Sequence, residues 1–223
     1  MMIKKSVIYL SCVIISAFLS YHASSFKYAA GGIALLDHLN INHEKGRHDL
    51  LKQFYIDTLG LAIDPRKLEK IEKGKGGVWA NCGITQFHLG EGEPSAQVHH
   101  GTITLAYKFS DFSIVKENLL KSKSLHSLMG TKFNWKEEDC NRIRVTDPWG
   151  STFLLLVDDT CEDPRGCQPG AKSLPVLMSD LTFFVPAEIN LEGIERFYKY
   201  VFDAPSILSP SREEIKVYYN CLY

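Results

Sequence analysis

Two stretches decide the fold: Asp37-His38-Leu39-Asn40-Ile41-Asn42 and, one helix further on, Phe54-Tyr55-Ile56-Asp57-Thr58-Leu59-Gly60-Leu61. The first alternates polar and apolar residues at period two, as a half-buried strand does. His38, Asn40 and Asn42 fall on one face, Leu39 and Ile41 on the other. A loop at His43-Glu44-Lys45-Gly46 leads to a helix over 47–59. There Leu50, Leu51, Phe54, Tyr55 and Leu59 form one apolar stripe, and Gly60 stands where a left-handed residue ends a helix. A strand face headed by histidine either lines a wet cavity or lies on the surface.

Downstream, the pattern predicts a strand over 61–64 and a charged, solvated loop over 66–75. Strands follow over 78–82 and 84–89, with Gln86 and His88 sharing a face, and then a turn-rich break over 90–94. A second unit of the same order begins at Gly101. It has a strand over 102–107, a helix over 111–123 capped by Asp111, and strands over 132–136, 142–145 and 151–157. Asp147-Pro148-Trp149-Gly150 turns between the last two. Strand-helix-strand-strand-strand is thus spelled twice within 34–158. After a linker over 159–175 the order restarts with a strand over 180–185 and a helix over 191–202. There Phe197-Tyr198 repeats Phe54-Tyr55, and Asn220-Cys221 echoes Asn81-Cys82. This is an internal repeat on the scale of a domain. The partial unit 176–223 ends before the position matching Gln86. The expectation is a shortened version of a protein with two full domains. The alternatives are packing of the partial unit on the first domain, or completion of a sheet in a second chain.

The 223 residues carry a formal net charge of -1, with 45% hydrophobic and 23% charged residues. That is an ordinary globular composition, without the basic stripe that a nucleic-acid partner requires. None of the six cysteines forms a CxxC pair, which argues against a zinc knuckle. Cys161 and Cys167 flank Asp163-Pro164-Arg165-Gly166, where a disulfide and a pair of reduced thiols are both open readings. The other cysteines fall in apolar, strand-like runs as buried thiols.

Lys4 and Lys5 precede an apolar run over 7–19, too short to span a bilayer comfortably. Residues 1–25 therefore read as a segment outside the fold, either a cleaved secretory signal or an uncleaved membrane anchor. Small residues follow at Ser20, Ala23, Ser24 and Ser25. Ala23-Ser24-Ser25-Phe26 resembles the junction of bipartite plastid leaders, which makes a plastid the alternative location. Any membrane association is expected through this segment alone.

Together, Asp37-His38, Phe54-Tyr55…Leu59-Gly60-Leu61, Gln86-Phe87-His88-Leu89 and Asp147-Pro148-Trp149-Gly150 resemble the vicinal oxygen chelate superfamily of glyoxalase I, bleomycin-resistance proteins and extradiol dioxygenases. The resemblance covers 34–158 fully and 178–223 in part. It implies an α+β fold of paired βαβββ modules forming a curled mixed-sheet cup, here followed by an incomplete third module. It also implies a small-molecule ligand in the cup and a homodimer as a candidate assembly. The family's metal enzymes use four cup-facing positions, which fall on His38, Gln86, Thr102 and Leu154. The first matches, and glutamine serves at the second in some glyoxalases. Threonine and leucine stand where histidine and glutamate are needed. A divalent metal would therefore have at most His38 and Gln86, an incomplete donor set. The expected ligand-binding residues are His38, Asn40, Gln86, His88 and Thr102, with no catalytic residue assigned. His99 and His100 read as loop, Trp79 and Trp149 as packing, and Arg142 and Arg144 as exposed sheet residues. The leading expectation is a metal-independent binder of a small organic molecule. The alternative is a glyoxalase-type metal-dependent lyase or isomerase.

Overall fold

Strands and helices follow the repeat. The computed structural model describes residues 6–12, 36–74, 76–92, 95–125, 128–160, 173–204, 206–210 and 214–219. In chain order these form β1 (Ser6–Cys12), β2 (His38–Asn40), β3 (His43–Glu44) and α1, which starts at His48–Leu51 and widens into a π-helical stretch at Lys52–Thr58. Next come β4 (Ala62–Ile63), a 3-10 turn at Pro65–Lys67, α2 (Leu68–Glu72), β5 (Val78–Cys82), β6 (Thr85–Leu89) and β7 (Glu91–Gly92). The second module comprises β8 (Gly101–Tyr107), α3 (Phe109–Ser122), β9 (Asn134–Asp139), β10 (Arg142–Thr146) and β11 (Thr152–Val157). The third comprises β12 (Pro175–Val185), α4 (Leu191–Val201), β13 (Ser206–Leu208) and β14 (Glu214–Tyr219).

The first two modules have one topology. Strand order is β2-β6-β5-β4 in the first and β8-β11-β10-β9 in the second. In each, the opening strand runs parallel to the closing one, β2 to β6 and β8 to β11, and the remaining neighbours are antiparallel. The α+β class with paired βαβββ modules is therefore the observed one. Both modules lie in one compact unit, Asp37–Ser179.

Alternation decides which face each strand buries. Leu39, Phe87, Leu89, Val78 and Ala80 point to one side of the first sheet. Ile103, Leu105, Phe153, Leu155, Ile143 and Val145 do so in the second. The two apolar sides share one core. Phe54 of α1 meets Phe153 at 5.5 Å between ring centroids, Tyr55 meets Phe87 at 5.6 Å, and Phe87 meets Phe153 at 6.2 Å. All four rings are fully buried, and truncating a phenylalanine of this kind to alanine costs about 3–5 kcal/mol. The Tyr107 hydroxyl donates to the Leu59 carbonyl at 3.0 Å, and Thr58 and Ser122 exchange a buried hydroxyl bond at 2.7 Å. The carboxylate of Asp147 builds the turn before β11 by accepting from the amides of Trp149 and Ser151 at 2.9 and 2.7 Å and from that of Gly150. Residues 173–179 pass close over the β5–β6 turn. A Cβ on Gly83, at φ +56°, would lie 1.6 Å from the Val176 carbonyl oxygen, so only glycine fits there.

The other unit contains β1 and Asp180–Tyr223. Its strand order is β13-β14-β1-β12, around a core of Leu191, Ala204, Ile215 and Val217. β1 stands where the closing strand of a module stands, beside the opening strand. Its direction is the reverse: antiparallel to β12 and parallel to β14. Thus Ser6–Cys12, which reads in sequence as part of a signal or anchor, is a strand of this unit. An apolar run can satisfy its backbone by pairing with any open strand edge. Among the described residues no helix is long and apolar enough to cross a membrane.

Several local expectations are corrected. The loop expected over 66–75 is the 3-10 turn and α2, because the Asp64 side chain accepts from the Arg66 amide at 2.9 Å and starts a helical turn with Pro65 at its first position. The break expected over 90–94 includes β7, paired in parallel with β3. The single strand expected over 34–42 is observed as β2, and the ladder then runs on to β3. α3 starts at Phe109 after Lys108, so Asp111 lies in its first turn rather than at its cap. Cys140 is exposed in the β9–β10 turn, while Cys82 is buried in β5 as expected. The Cys161 and Cys167 pair and Asn220-Cys221 lie outside the described residues.

Candidate functional site

The polar side of the first sheet gathers most of the residues singled out in the sequence. Register places His38 opposite Gln86 and Asn40 opposite His88, while Trp79 and Asn81 of β5 lie opposite His88 and Gln86. Directly paired residues share a face. His38 stacks on His88 at 4.2 Å between ring centroids, and His88 stacks on Trp79 at 4.6 Å. Lys67 and Arg66 cover the Trp79 ring at 3.9 and 4.7 Å, positions suited to cation–π attraction. His38 and Asn40 are exposed, and His88 is half-buried. Burial, followed by repulsion from His38, lowers the His88 pKa, with Asp37 opposing.

Gln86 is fully engaged. Its Nε2 donates to Asp64 at 2.9 Å and to Asn81, and its Oε1 is paired with His88 Nε2 at 2.7 Å. Only an amide can donate to two acceptors and accept from a third group here. A glutamate would lose both donor bonds and set a second carboxylate beside Asp64. Asp64 is buried and receives the Arg66 guanidinium through Nε at 2.9 Å and Nη2 at 2.6 Å. Those bonds hold its carboxyl well below the usual carboxylate range. His38 uses Nδ1 to pair with Asp37 at 2.8 Å.

Thr102 is not brought to this group. It lies in β8 opposite Thr152, and Leu154 lies opposite Thr104 and Arg144. Thr102 is on the strand face opposite to Ile103 and Leu105, and His38 is on the face opposite to Leu39, so neither side chain is on the apolar side of its own sheet. Of the four positions to which the resemblance points, Gln86 has its oxygen paired with His88 and Leu154 offers no donor atom. Arg144 pairs with Glu138, as befits an exposed sheet arginine. His99 and His100 lie in the stretch before β8.

A second group was not anticipated from the sequence. His43 of β3, His48 of α1 and Glu91 of β7 bring their ligating atoms within 4.8 Å of one another. His43 and Glu91 are direct partners in the parallel ladder. His43 is 1% exposed and His48 8%. Burial, followed by repulsion from His48, lowers the His43 pKa, with Glu91 opposing. The signal was present in the alternation. The ladder continues unbroken past Asn40, since the amides of Ile41 and His43 bond the carbonyls of His88 and Gly90 at 3.0 and 2.8 Å. His43 thus continues the buried series Leu39, Ile41, and Glu91 continues Phe87, Leu89. Reading His43 as loop hid that parity.

No protein-family model and no curated protein sequence matches the chain. Solved structures similar to it include a glyoxalase family protein from Bacillus anthracis, at 21% identity and TM-score 0.41, covering 57% of this chain and 97% of that one. The fosfomycin resistance protein FosX from Mesorhizobium loti is similar at 12% identity and TM-score 0.40, covering 56% of this chain and 93% of that one. A dioxygenase from Bacillus subtilis is similar at 12% identity and TM-score 0.48 over 85% of this chain, and the chain spans 64% of its length. The first two modules share one strand order and one pattern of strand directions, that of paired βαβββ modules.

Proposed function

We propose that the polar face of β2, β6 and β5 binds a small organic molecule, and that no metal is held there. The carrying observation is the closed hydrogen-bond set around Gln86, which leaves the neighbouring stack of His38, His88 and Trp79 as a preformed platform. Nothing need rearrange for a flat ligand to lie on the open side of His38, and a preordered surface lowers the entropic cost of binding. Lys67 and Arg66 supply positive charge beside it, which favours a planar ligand with an acidic group. Asn40, opposite His88, offers an amide to orient that ligand.

Native mass spectrometry of the protein from its own source tests this reading directly. A co-purifying small acid is expected, with affinity at least about tenfold weaker in His38→Ala and Lys67→Ala. The glyoxalase-type alternative is separated by metal analysis with a glutathione-hemithioacetal assay. Turnover that requires both a stoichiometric metal and His38 overturns the proposal. A second copy of the chain that supplied Thr102 to the ligand would be detected as a dimer by light scattering. For residues 1–25 we propose a secretory signal or anchor, with a plastid leader as alternative, and cleavage would remove β1 from the second unit. A fusion of residues 1–30 to a fluorescent reporter checks it, and diffuse cytosolic signal would count against all three.

A further inference from the structure

We infer that His43, His48 and Glu91 form a binding site for a divalent first-row transition ion, separate from the family's four metal positions. Two imidazoles and one carboxylate are a donor set suited to zinc, iron or cobalt, and they leave coordination positions free for water or a ligand.

The first support is the placement. His43 and Glu91 extend the apolar faces of two paired strands, where Leu39, Ile41, Phe87 and Leu89 precede them. A histidine and a glutamate side by side on that face are costly unless something satisfies them.

The second support is what they lack. Among the described residues, neither ring nitrogen of His43 has a partner within hydrogen-bond geometry, although the ring is 1% exposed. The Gly90 carbonyl accepts from the His43 amide at 2.8 Å and, lying near the ring as well, opposes the lowering of its pKa. His48 Nδ1 is also buried and unpartnered. It lies 3.7 Å from Glu91 Oε1, beyond hydrogen-bond length. Donors around a tetrahedral ion with bonds of about 2.0–2.1 Å stand about 3.3 Å apart. The observed spacing is therefore close to that of two ligands of one ion.

The third support is the outer arrangement. His48 Nε2 bonds the Gly76 carbonyl at 2.6 Å. A backbone carbonyl accepting from one ring nitrogen leaves the lone pair on the other, and it is a usual device for orienting a metal-bound histidine. The lone pair of His48 is thereby placed on Nδ1, facing Glu91. The His43 ring lies edge-on to His48 at 5.1 Å, and Trp149 stands 6.4 Å from it on the other side. Glu91 keeps 25% of its side chain exposed, which gives the ion a way in.

The test uses the full chain, treated with chelator and titrated with cobalt(II) and, separately, zinc(II). One equivalent of cobalt is expected, with visible d–d absorption from nitrogen and oxygen ligands, and one equivalent of zinc by calorimetry. Glu91→Gln, which keeps the side-chain shape, and His43→Ala should weaken uptake at least as much as the roughly 100-fold that loss of an outer-shell partner can cost. His38→Ala should leave uptake unchanged. Circular dichroism verifies folding, and if His43→Ala does not fold, Glu91→Gln alone decides. Failure of the wild-type chain to take up either ion overturns the inference, as does unchanged uptake in folded Glu91→Gln. Uptake lost only in His38→Ala overturns it too and instead contradicts the metal-free reading of the polar face.

Discussion

Two histidine groups follow one another along the chain, one on β2 and β6, the other on β3 and β7 with His48 added from α1. On the polar face His38 and His88 stack, with every functional atom of Gln86 bonded and with solvent nearby. On the buried face, a few residues further along, His43 and His48 hold three unpartnered nitrogens beside a carboxylate. Residue type does not separate the two groups, since both are histidines with an acidic neighbour. The difference lies in what completes them. The first is satisfied by its own protein neighbours, and the second has buried nitrogens without a hydrogen-bond partner among the described residues. A satisfied network specifies structure, whereas an unsatisfied buried one marks a place for a ligand.

The largest expected effect on folding comes from opening the satisfied group. Gln86→Ala strips a partner from Asp64, Asn81 and His88 together, and should lower unfolding stability by about 1–3 kcal/mol in urea titration. A change below about 0.5 kcal/mol would show that water replaces the amide and that the network is not structural.

The unsatisfied group should behave in the opposite way. His43→Leu removes two unpartnered nitrogens while keeping bulk, so in chelator-treated protein it should be neutral or stabilising by up to about 1 kcal/mol. With zinc present, wild type should gain stability and His43→Leu should not, because an ion bound only to the folded state stabilises it. A loss of more than about 2 kcal/mol in chelator-treated His43→Leu would mean that the imidazole is already satisfied.

Acidification sharpens the comparison further. His43 and His88 both have pKa values lowered by folding. The unfolded chain then binds protons more readily than the folded one. The stabilising contribution is complete above the unfolded value of about 6.5 and is lost as pH falls through the folded values. The melting temperature of chelator-treated protein should therefore drop from pH 7 to pH 5. His88→Asn should flatten part of that slope, and His43→Leu another part. A melting temperature that rises over this interval would contradict both shifts.

The smallest effect is expected at His38. Its ring is partly exposed and its bond to Asp37 is a surface pair, so His38→Ala should change stability by no more than about 0.5 kcal/mol. Ligand affinity, not stability, should report this residue.

Much of the first module was legible because alternation and helical spacing are local. Leu39, Ile41 and the stripe through Phe54 and Tyr55 read correctly, and so did the shared face of Gln86 and His88. Gly60 does adopt the left-handed conformation foreseen for it, at φ +75°. Local signals misled where a side chain, rather than hydropathy, starts an element. Asp64 nucleates the turn before α2, which charge alternation alone describes as loop. They were silent on β3 and β7, two-residue strands too short to show a period.

The sequence by itself determined the repeated strand-helix-strand-strand-strand order and which residues of each strand share a face. Both follow from the chain's fixed geometry over a few residues. It also put Thr102 and Leu154 at positions where the resemblance would call for histidine and glutamate. Only the tertiary structure decided that the two sheets share a core across Phe54, Phe87 and Phe153, because those contacts join residues far apart in the chain. It alone joined His43, His48 and Glu91, because strand pairing brings together positions 48 residues apart. Hydrogen-bond satisfaction, which distinguishes the two histidine groups, depends on such neighbours across the fold.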